Sequence, residues 1–121
     1  MFITIRNNSI NTDKISYIKE VDEKFFLEYR KKASIKSVEI DFGITSFDKH
    51  NYFQRHKLYN LNGYWINVKQ ISFIHEERLD KKTGTDRLLD LTIYFSDGLL
   101  IEIEIEESRW RVWKETRLSG I

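Results

Sequence analysis

Aromatic and basic residues alternate near the C-terminus, and this segment has the clearest potential for binding chemistry. On a helix of about 100° per residue, Trp110 and Trp113 share one side, and Arg109 and Arg111 flank the first ring. Aromatic rings beside guanidinium groups suit single-stranded nucleic acid, because bases stack on the rings and phosphates pair with the cations. The alternative is structural, because a helix that covers an apolar sheet face also needs large side chains with arginine stems along their edges. We favour the structural interpretation.

Two further groups of basic residues fall at predicted hairpin tips. The first comprises Arg30, Lys31 and Lys32, with Lys36 close by, and the second comprises Arg78, Lys81, Lys82 and Arg87. On two related copies of a fold, such tips could form one cationic stripe for a partner. Solvated charge at a turn is the simpler explanation. Together with the C-terminal segment, these groups are the candidate binding residues of the chain.

Carboxylate and imidazole side chains give no catalytic or metal-binding pattern. The glutamates within 102–106 alternate with isoleucine, so neighbouring carboxylates lie about 7 Å apart on one face of a strand, which favours solvation over a shared proton. The histidines, His50, His56 and His75, stand in different segments and lack the spacing that places two imidazoles on one metal ion. We therefore predict no catalytic residue, no metal site and no cofactor.

The chain repeats itself, and the repeat indicates which elements position these residues. The segment Ile10-Asn11-Thr12-Asp13-Lys14-Ile15-Ser16-Tyr17-Ile18 returns in the second half of the chain as Ile66-Asn67-Val68-Lys69-Gln70-Ile71-Ser72-Phe73-Ile74, with five of nine positions identical. A repeat at this spacing in a 121-residue chain predicts two copies of one supersecondary unit, at 1–56 and 57–121. Neither copy is long enough to bury a core alone.

Each copy is predicted to contain four strands and a helix. Short β-branched and aromatic runs mark the strands, at 2–5, 15–21, 25–29 and 38–42 and then at 58–61, 71–79, 89–95 and 100–106. Each last strand precedes a helix candidate that opens on a serine, Ser46 or Ser108, whose hydroxyl can cap the first turn. The prediction is an α+β fold of two tandem ββββα repeats with antiparallel sheets, packed as a single domain over 1–121. The predicted core residues are Ile15, Ile18, Ile71, Ile74, Leu91, Ile93, Ile101, Ile103 and Ile105.

Composition narrows the class of protein. Twenty basic and 19 acidic residues give a formal charge of +1, which indicates no polyanionic partner. The chain contains no cysteine, which excludes disulfides and thiolate metal sites. No run approaches the about 18–20 apolar residues of a membrane span, and the N-terminus lacks the basic and then apolar order of a signal peptide. We expect a cytoplasmic protein, although a chain without cysteine is also compatible with export.

Three resemblances follow from these segments. Within residues 57–117, Tyr64-Trp65-Ile66-Asn67, Ile71-Ser72-Phe73-Ile74 and Leu91-Thr92-Ile93-Tyr94-Phe95-Ser96-Asp97-Gly98 resemble the small FlbD-type bacterial proteins associated with flagellar genes, and residues 1–56 are a fainter copy. This resemblance implies a small bacterial β-rich module, and because its motifs are structural it carries over no active site. In topology alone, the duplicated unit is similar to the Pur-alpha repeat, whose two copies intertwine and bind single-stranded nucleic acid. The last two strands and the tryptophan-bearing helix resemble the end of a pleckstrin-homology domain, and a barrel of that kind is the alternative fold.

The predicted function is that of a non-enzymatic interaction protein, from a bacterium or a mobile element, that binds a protein partner. Sheet edges, hairpin tips or the C-terminal helix would provide the contact surface. The alternative is a single-stranded nucleic-acid-binding protein that uses the C-terminal tryptophans and arginines together with the basic tips. Burial or exposure of Trp110 and Trp113 separates these two functions. A homodimer is an open alternative for the oligomeric state.

Overall fold

Antiparallel strands make up most of the fold, which is α+β as predicted. The computed structural model describes residues 2–5, 8–40 and 49–118. Its elements are β1 (Phe2–Ile5), β2 (Asn8–Asn11), β3 (Tyr17–Val21), β4 (Lys24–Lys31), β5 (Ser34–Ile40), α1 (Lys49–Arg55), β6 (Leu58–Leu61), β7 (Tyr64–Asn67), β8 (Ile71–Thr83), β9 (Asp86–Phe95), β10 (Leu100–Glu106) and α2 (Glu107–Arg117). No helix in the described ranges is long and apolar enough to cross a membrane. The chain divides into two compact units, Met1–Gln70 (unit 1) and Ile71–Ile121 (unit 2).

Unit 1 contains a five-stranded antiparallel sheet in the order β5-β4-β3-β7-β6 and a separate hairpin of β1 and β2. Two tight reversals shape the sheet, at Asp22-Glu23 and at Asn62-Gly63, where all four residues have positive φ. This conformation is typical of two-residue hairpin turns, because its twist matches that of the flanking strands. At Gly63 a Cβ would lie 3.3 Å from the backbone oxygen of Glu20, so glycine suits both the turn and the close approach of β3.

Aromatic side chains fill the core of unit 1. Phe53 of α1 and Trp65 of β7 are completely buried, and their ring centroids lie 4.7 Å apart. Phe25 of β4 packs on Phe53 with a centroid separation of 5.4 Å. The indole Nε1 of Trp65 donates to Glu20 Oε1 at 3.0 Å, so the polar atom of this buried ring keeps a partner. These contacts attach the short helix α1 to the sheet.

Asn67, at the end of β7, joins that strand to the segment that precedes β3. Its Nδ2 donates to the carbonyl oxygens of Thr12 at 2.9 Å and Ile15 at 3.0 Å. Its Oδ1 accepts from the backbone N of Lys69 at 3.1 Å, and its own backbone N donates to Ser16 O at 2.9 Å. Asn67 is only 3% exposed, so removing its amide would leave buried backbone groups without partners.

Unit 2 is a three-stranded antiparallel sheet in the order β10-β9-β8, and α2 packs on β9 and β10. Ile101, Ile103 and Ile105 of β10 are buried, whereas Glu102 and Glu104 are exposed. The predicted alternation of an apolar and a solvated face is therefore confirmed. Directly paired residues of antiparallel strands share a face, so the buried leucine and isoleucine side chains of β9 continue the same apolar surface.

Six of the nine predicted core residues are buried, and Ile15, Ile71 and Ile74 are only partly buried. Ile71 and Ile74 lie on β8, which is the edge strand of its sheet among the described residues. An edge strand has a neighbour on one side only, so its side chains receive less cover. Ile15 precedes β3 and packs against the margin of the unit 1 core. The sequence pattern thus identifies the apolar face but not the position of the strand in the sheet.

Several predicted details differ from the structure. The expected cap at Ser108 is wrong, because α2 begins at Glu107 and Ser108 already lies in its first turn. The strands β2 and β7 were not predicted, since Asn8–Asn11 and Tyr64–Asn67 are short and lack a clear alternation. The strand predicted at 38–42 begins earlier, at Ser34, and Val38 is 40% exposed although Ile40 on the same face is buried, because β5 is the edge strand of its sheet among the described residues. The predicted cap at Ser46 and the strand end at 41–42 lie outside the described residues.

We expect Ile103→Ala to lower the free energy of unfolding by about 2–5 kcal/mol, the usual cost of such a truncation in a core. Ile103 is 5% exposed on the face that meets α2. Glu102→Ala, one residue earlier and on the exposed face, is the matched control and should change stability by less than about 0.5 kcal/mol. Chemical denaturation of both variants measures the difference. Equal losses would show that the two faces of β10 are misassigned.

Candidate binding site

Unit 2 has an open depression of about 300 Å³ where the turn between β8 and β9 lies beside the first turn of α2. We call it the cationic depression, and it is lined by Lys82, Thr85, Asp86, Arg87, Glu107, Ser108 and Arg111. Lys82 and Arg87 come from the second predicted basic group, and Arg111 comes from the C-terminal segment. The structure therefore brings together residues from two groups that the sequence presented separately.

Asp86 positions the hairpin against the helix. Its Oδ1 accepts from the backbone N of Ser108 at 3.3 Å, and its Oδ2 accepts from the Ser108 hydroxyl. The carboxylate thus satisfies an amide of the first helical turn and places negative charge at the positive end of the helix dipole. Gly84 has a φ of +64° in the turn itself, a conformation that glycine adopts without strain. The two bonds hold the turn between β8 and β9 beside the first turn of α2.

Ion pairs at the margin of the depression centre on Glu107. Its Oε1 accepts from Arg78 Nη2 at 3.2 Å and from Arg111 Nη2 at 3.3 Å. Both arginine side chains remain about two-thirds exposed, at 67% and 64%, so each pair contributes little to stability. Within the described part of the chain, Lys82 and Arg87 form no ion pair. Among the described residues, the depression therefore holds two cations without an ion-pair partner, Lys82 and Arg87, beside Arg111, which shares the Glu107 carboxylate with Arg78 at the margin.

The two tryptophans of α2 have different surroundings. Trp110 is 1% exposed, and Trp113 is partly buried. Their rings stack with centroids 5.7 Å apart and an interplanar angle of 18°. Lys114 Nζ lies 5.7 Å from the centre of the Trp110 ring, which is within cation–π range. A nucleic acid base cannot reach the Trp110 ring unless the helix moves.

Arg109, also predicted as a binding residue, pairs with Glu106 at 3.5 Å and remains exposed. Lys81 is exposed on β8 and does not line the cationic depression. The remaining predicted residues lie in unit 1, at the end of β4 and in the turn that follows it. There the Arg30 Nε donates to the carbonyl oxygen of Lys32 at 3.3 Å. Arg30, Lys31 and Lys32 are all exposed.

Among the described residues, the three histidines lie in separate places and none joins other possible metal ligands. His50 packs on Trp65 with a ring separation of 5.1 Å. His56 is partly buried, and burial followed by the nearby Arg55 charge lowers its pKa below the ordinary value. His75 is exposed on β8. In the residues that the structure describes, no three histidine, aspartate or glutamate side chains come together in a way that could hold a metal ion.

The open face of the unit 2 sheet carries a feature that sequence reasoning missed. Phe73 of β8 and Tyr94 of β9 are paired across the strands and stack with centroids 4.2 Å apart, and Leu100 of β10 pairs with Tyr94 on the other side. Phe73 is 56% exposed and Leu100 is 44% exposed. Only the strand register reveals this row, because Phe73 is far from Tyr94 and Leu100 in sequence.

The same open face is acidic beyond this row. Glu104, Asp90 and Glu77 are directly paired across the three strands, so their carboxylates share that face. Glu102 lies between them and the apolar row. This arrangement disfavours a polyanion on the open face, since like charges repel.

Comparisons with protein-family models, with curated proteins and with solved structures found no match to this chain. The resemblances to FlbD-type proteins, to Pur-alpha repeats and to pleckstrin-homology domains therefore stay predictions.

Proposed function

We propose that this chain is a non-enzymatic interaction protein and that unit 2 binds an acidic segment of a protein partner at the cationic depression. The observation that carries the proposal is the position of Lys82 and Arg87, which lie beside Arg111 without an ion-pair partner among the described residues. Carboxylates of a partner would complete these pairs. The depression is shallow and open, so an extended side-chain-bearing segment fits it better than an enclosed small molecule.

Single-stranded nucleic acid is the second candidate, because the same cations could pair with phosphates. Binding of single-stranded nucleic acid needs exposed aromatic rings on which bases can stack. Trp110 does not meet this requirement, because it is only 1% exposed. Trp113 is partly buried and stacked on Trp110, which leaves little ring surface beside the cations.

The tandem repeat is also part of the proposal, in a revised form. The hairpin of β1 and β2 spans 2–5 and 8–11, and the hairpin of β6 and β7 spans 58–61 and 64–67, so the two coincide when Ile10 is aligned with Ile66. Asn11 Oδ1 accepts from the backbone N of Asp13 at 3.0 Å, and Asn67 Oδ1 accepts from that of Lys69 at 3.1 Å. These equivalences support a repeat of five strands and a helix in place of four strands and a helix.

A fluorescent oligoglutamate peptide, titrated with the protein and followed by anisotropy, tests the proposed site. We expect Lys82→Ala/Arg87→Ala to weaken binding about fivefold, since each exposed ion pair contributes about 0.5 kcal/mol. We also expect the affinity to fall as salt rises, because salt screens exposed charges.

Lys31→Ala/Lys32→Ala removes the same charge from the turn between β4 and β5 and is the matched control. It should leave the peptide affinity within about twofold of the wild-type value, since its lysines do not line the depression. Equal weakening by both variants would mean general attraction to positive charge and would refute the assigned site.

A further inference from the structure

The open face of the unit 2 sheet is a second surface, and it shares no residue with the cationic depression. Along β8, Glu76 pairs with Lys114 and Arg78 pairs with Glu107. Both partners belong to α2, so these two side chains lie on the face that the helix covers. The residues that alternate with them, such as His75, therefore lie on the opposite face of the strand. That opposite face is the open one.

The strand register arranges the open face in three rows. These are the apolar row of Phe73, Tyr94 and Leu100, a middle row of His75, Thr92 and Glu102, and an acidic row of Glu77, Asp90 and Glu104. Four of these nine side chains are carboxylates, and none is lysine or arginine. Among the described residues, Glu77, Asp90 and Glu102 form no ion pair. The face therefore joins an apolar end to an acidic end.

The apolar row is large and exposed. Phe73 is 56% exposed and Leu100 is 44% exposed, and the stacked rings of Phe73 and Tyr94 lie 4.2 Å apart. A contiguous apolar patch beside polar residues is typical of an interaction site. The adjacent carboxylates determine the chemistry of the partner, because they repel phosphates and attract lysine and arginine side chains.

We propose that the open face of unit 2 binds a basic amphipathic helix of a protein partner. Apolar side chains of that helix would cover the apolar row, and its lysine or arginine side chains would pair with the carboxylates beside the row. This inference goes beyond the proposed function, since it concerns a different surface and a partner segment of opposite charge.

The helical form of the partner follows from the direction of the apolar row. The row runs across the strands, and neighbouring strands lie about 4.8 Å apart. One turn of a helix rises about 5.4 Å, so apolar residues one turn apart match the row closely. An extended segment places its side chains on one face about 7 Å apart, which fits the row less well.

The partner's cations would lie on one flank of this helix. Carboxylates begin about 7 Å from the apolar row, at Glu102, and the acidic row lies about 14 Å from it. A helix with its side chains is about 10–12 Å wide, so lysine side chains on one flank reach over these carboxylates. Such ion pairs stay near solvent and contribute more to specificity than to affinity. The apolar row would supply most of the affinity.

A labelled peptide of leucine and lysine, patterned so that a helix has leucine on one face and lysine on the other, tests the proposal. The peptide is titrated with the full chain and followed by fluorescence anisotropy. One control peptide has the same composition with leucine and lysine in alternation, which is a strand pattern. The other has glutamate in place of lysine. We expect the leucine–lysine helix to bind about tenfold more tightly than either control peptide, since only it matches both the row spacing and the charge.

We expect Phe73→Ala/Leu100→Ala to weaken binding of the leucine–lysine helix about tenfold, since both apolar side chains would be covered by the partner. Ile35→Ala/Val112→Ala removes apolar side chains that are 57% and 64% exposed elsewhere and is the matched control. It should keep the affinity within about twofold of the wild-type value. All four positions are exposed, so both variants should fold.

Glu77→Gln/Glu102→Gln should weaken binding about threefold and reduce its dependence on salt, because exposed charge pairs contribute little and are screened. Glu23→Gln/Glu39→Gln removes the same charge from exposed positions in unit 1 and should leave the affinity within about twofold of the wild-type value.

Wild-type affinity in Phe73→Ala/Leu100→Ala, or equal weakening by Ile35→Ala/Val112→Ala, would overturn the proposal. Tighter binding of the alternating peptide would overturn the helical form of the partner. Self-association of the wild-type chain that Phe73→Ala/Leu100→Ala abolishes would also overturn it, since a second copy would then cover the row. Oligoglutamate binding should be the same in Phe73→Ala/Leu100→Ala and wild type, so failure at this face is distinguishable from failure at the cationic depression.

Discussion

Trp65→Ala should lower the free energy of unfolding by about 3–5 kcal/mol, the range for removing a buried aromatic side chain. Trp65 is completely buried and packs on Phe53 at 4.7 Å and on His50 at 5.1 Å. Its indole also donates to Glu20. The truncation would open a cavity between β7 and α1 and remove the contact that holds the helix on the sheet.

Chemical denaturation followed by far-ultraviolet circular dichroism measures this loss. Ile35→Ala is the control, since Ile35 is 57% exposed on the edge strand β5, and it should cost less than about 0.5 kcal/mol. Trp65→Phe keeps an aromatic ring but deletes the donor to Glu20, so we expect an intermediate loss. If Trp65→Ala and Ile35→Ala proved equally stable, the core of unit 1 would lie elsewhere.

Trp110→Ala should also cost about 3–5 kcal/mol, because this ring is the buried residue of α2 and covers the apolar face formed by β9 and β10. Val112 lies on the same helix and is 64% exposed, so Val112→Ala should cost less than about 0.5 kcal/mol. Thermal unfolding of the two variants separates a core tryptophan from a surface one. If Trp110→Ala were as stable as Val112→Ala, the Trp110 ring would not be part of the core. It could then serve as a surface for base stacking, which would favour nucleic acid as the partner.

Local patterns were sufficient to predict much of unit 2. The strict alternation of residues 101–106 predicts the correct strand and the correct buried face, because side chains along a strand point alternately to its two faces. The reversal at Ser96-Asp97-Gly98 is equally local: Gly98 has a φ of +90°, and Asp97 Oδ1 accepts from the backbone N of Leu99 at 3.0 Å. Both features depend on residues that are close together in sequence.

Non-local pairings could not be predicted. The neighbour of β3 is β7, which lies far away along the chain, and no local pattern specifies that choice. Strand pairing also decides which strands lie at the edge of a sheet, so local patterns do not predict the partial exposure of Ile71 and Ile74. The strands β6 and β7 have four residues each. They are too short to show clearly the alternation of apolar and polar residues that marks a strand.

The candidate site was predictable in its residue types but not in its assembly. Lys82, Arg87 and Arg111 were each identified as basic candidates, and the structural interpretation of Trp110 agrees with its burial. Their convergence depends on the bonds between Asp86 and Ser108, which are 22 residues apart. Nothing in the sequence distinguishes that aspartate from the other acidic residues at turns.

The most direct test of the proposed function is a competition for the cationic depression. Labelled oligoglutamate bound to the protein is displaced either by unlabelled peptide or by single-stranded oligothymidylate of equal negative charge. Fluorescence anisotropy reports the displacement. We predict that the peptide displaces at lower concentration and that Lys82→Ala/Arg87→Ala weakens peptide binding without unfolding the protein. Displacement by the oligonucleotide at lower concentration than by the peptide, with quenching of Trp113 fluorescence, would contradict the account.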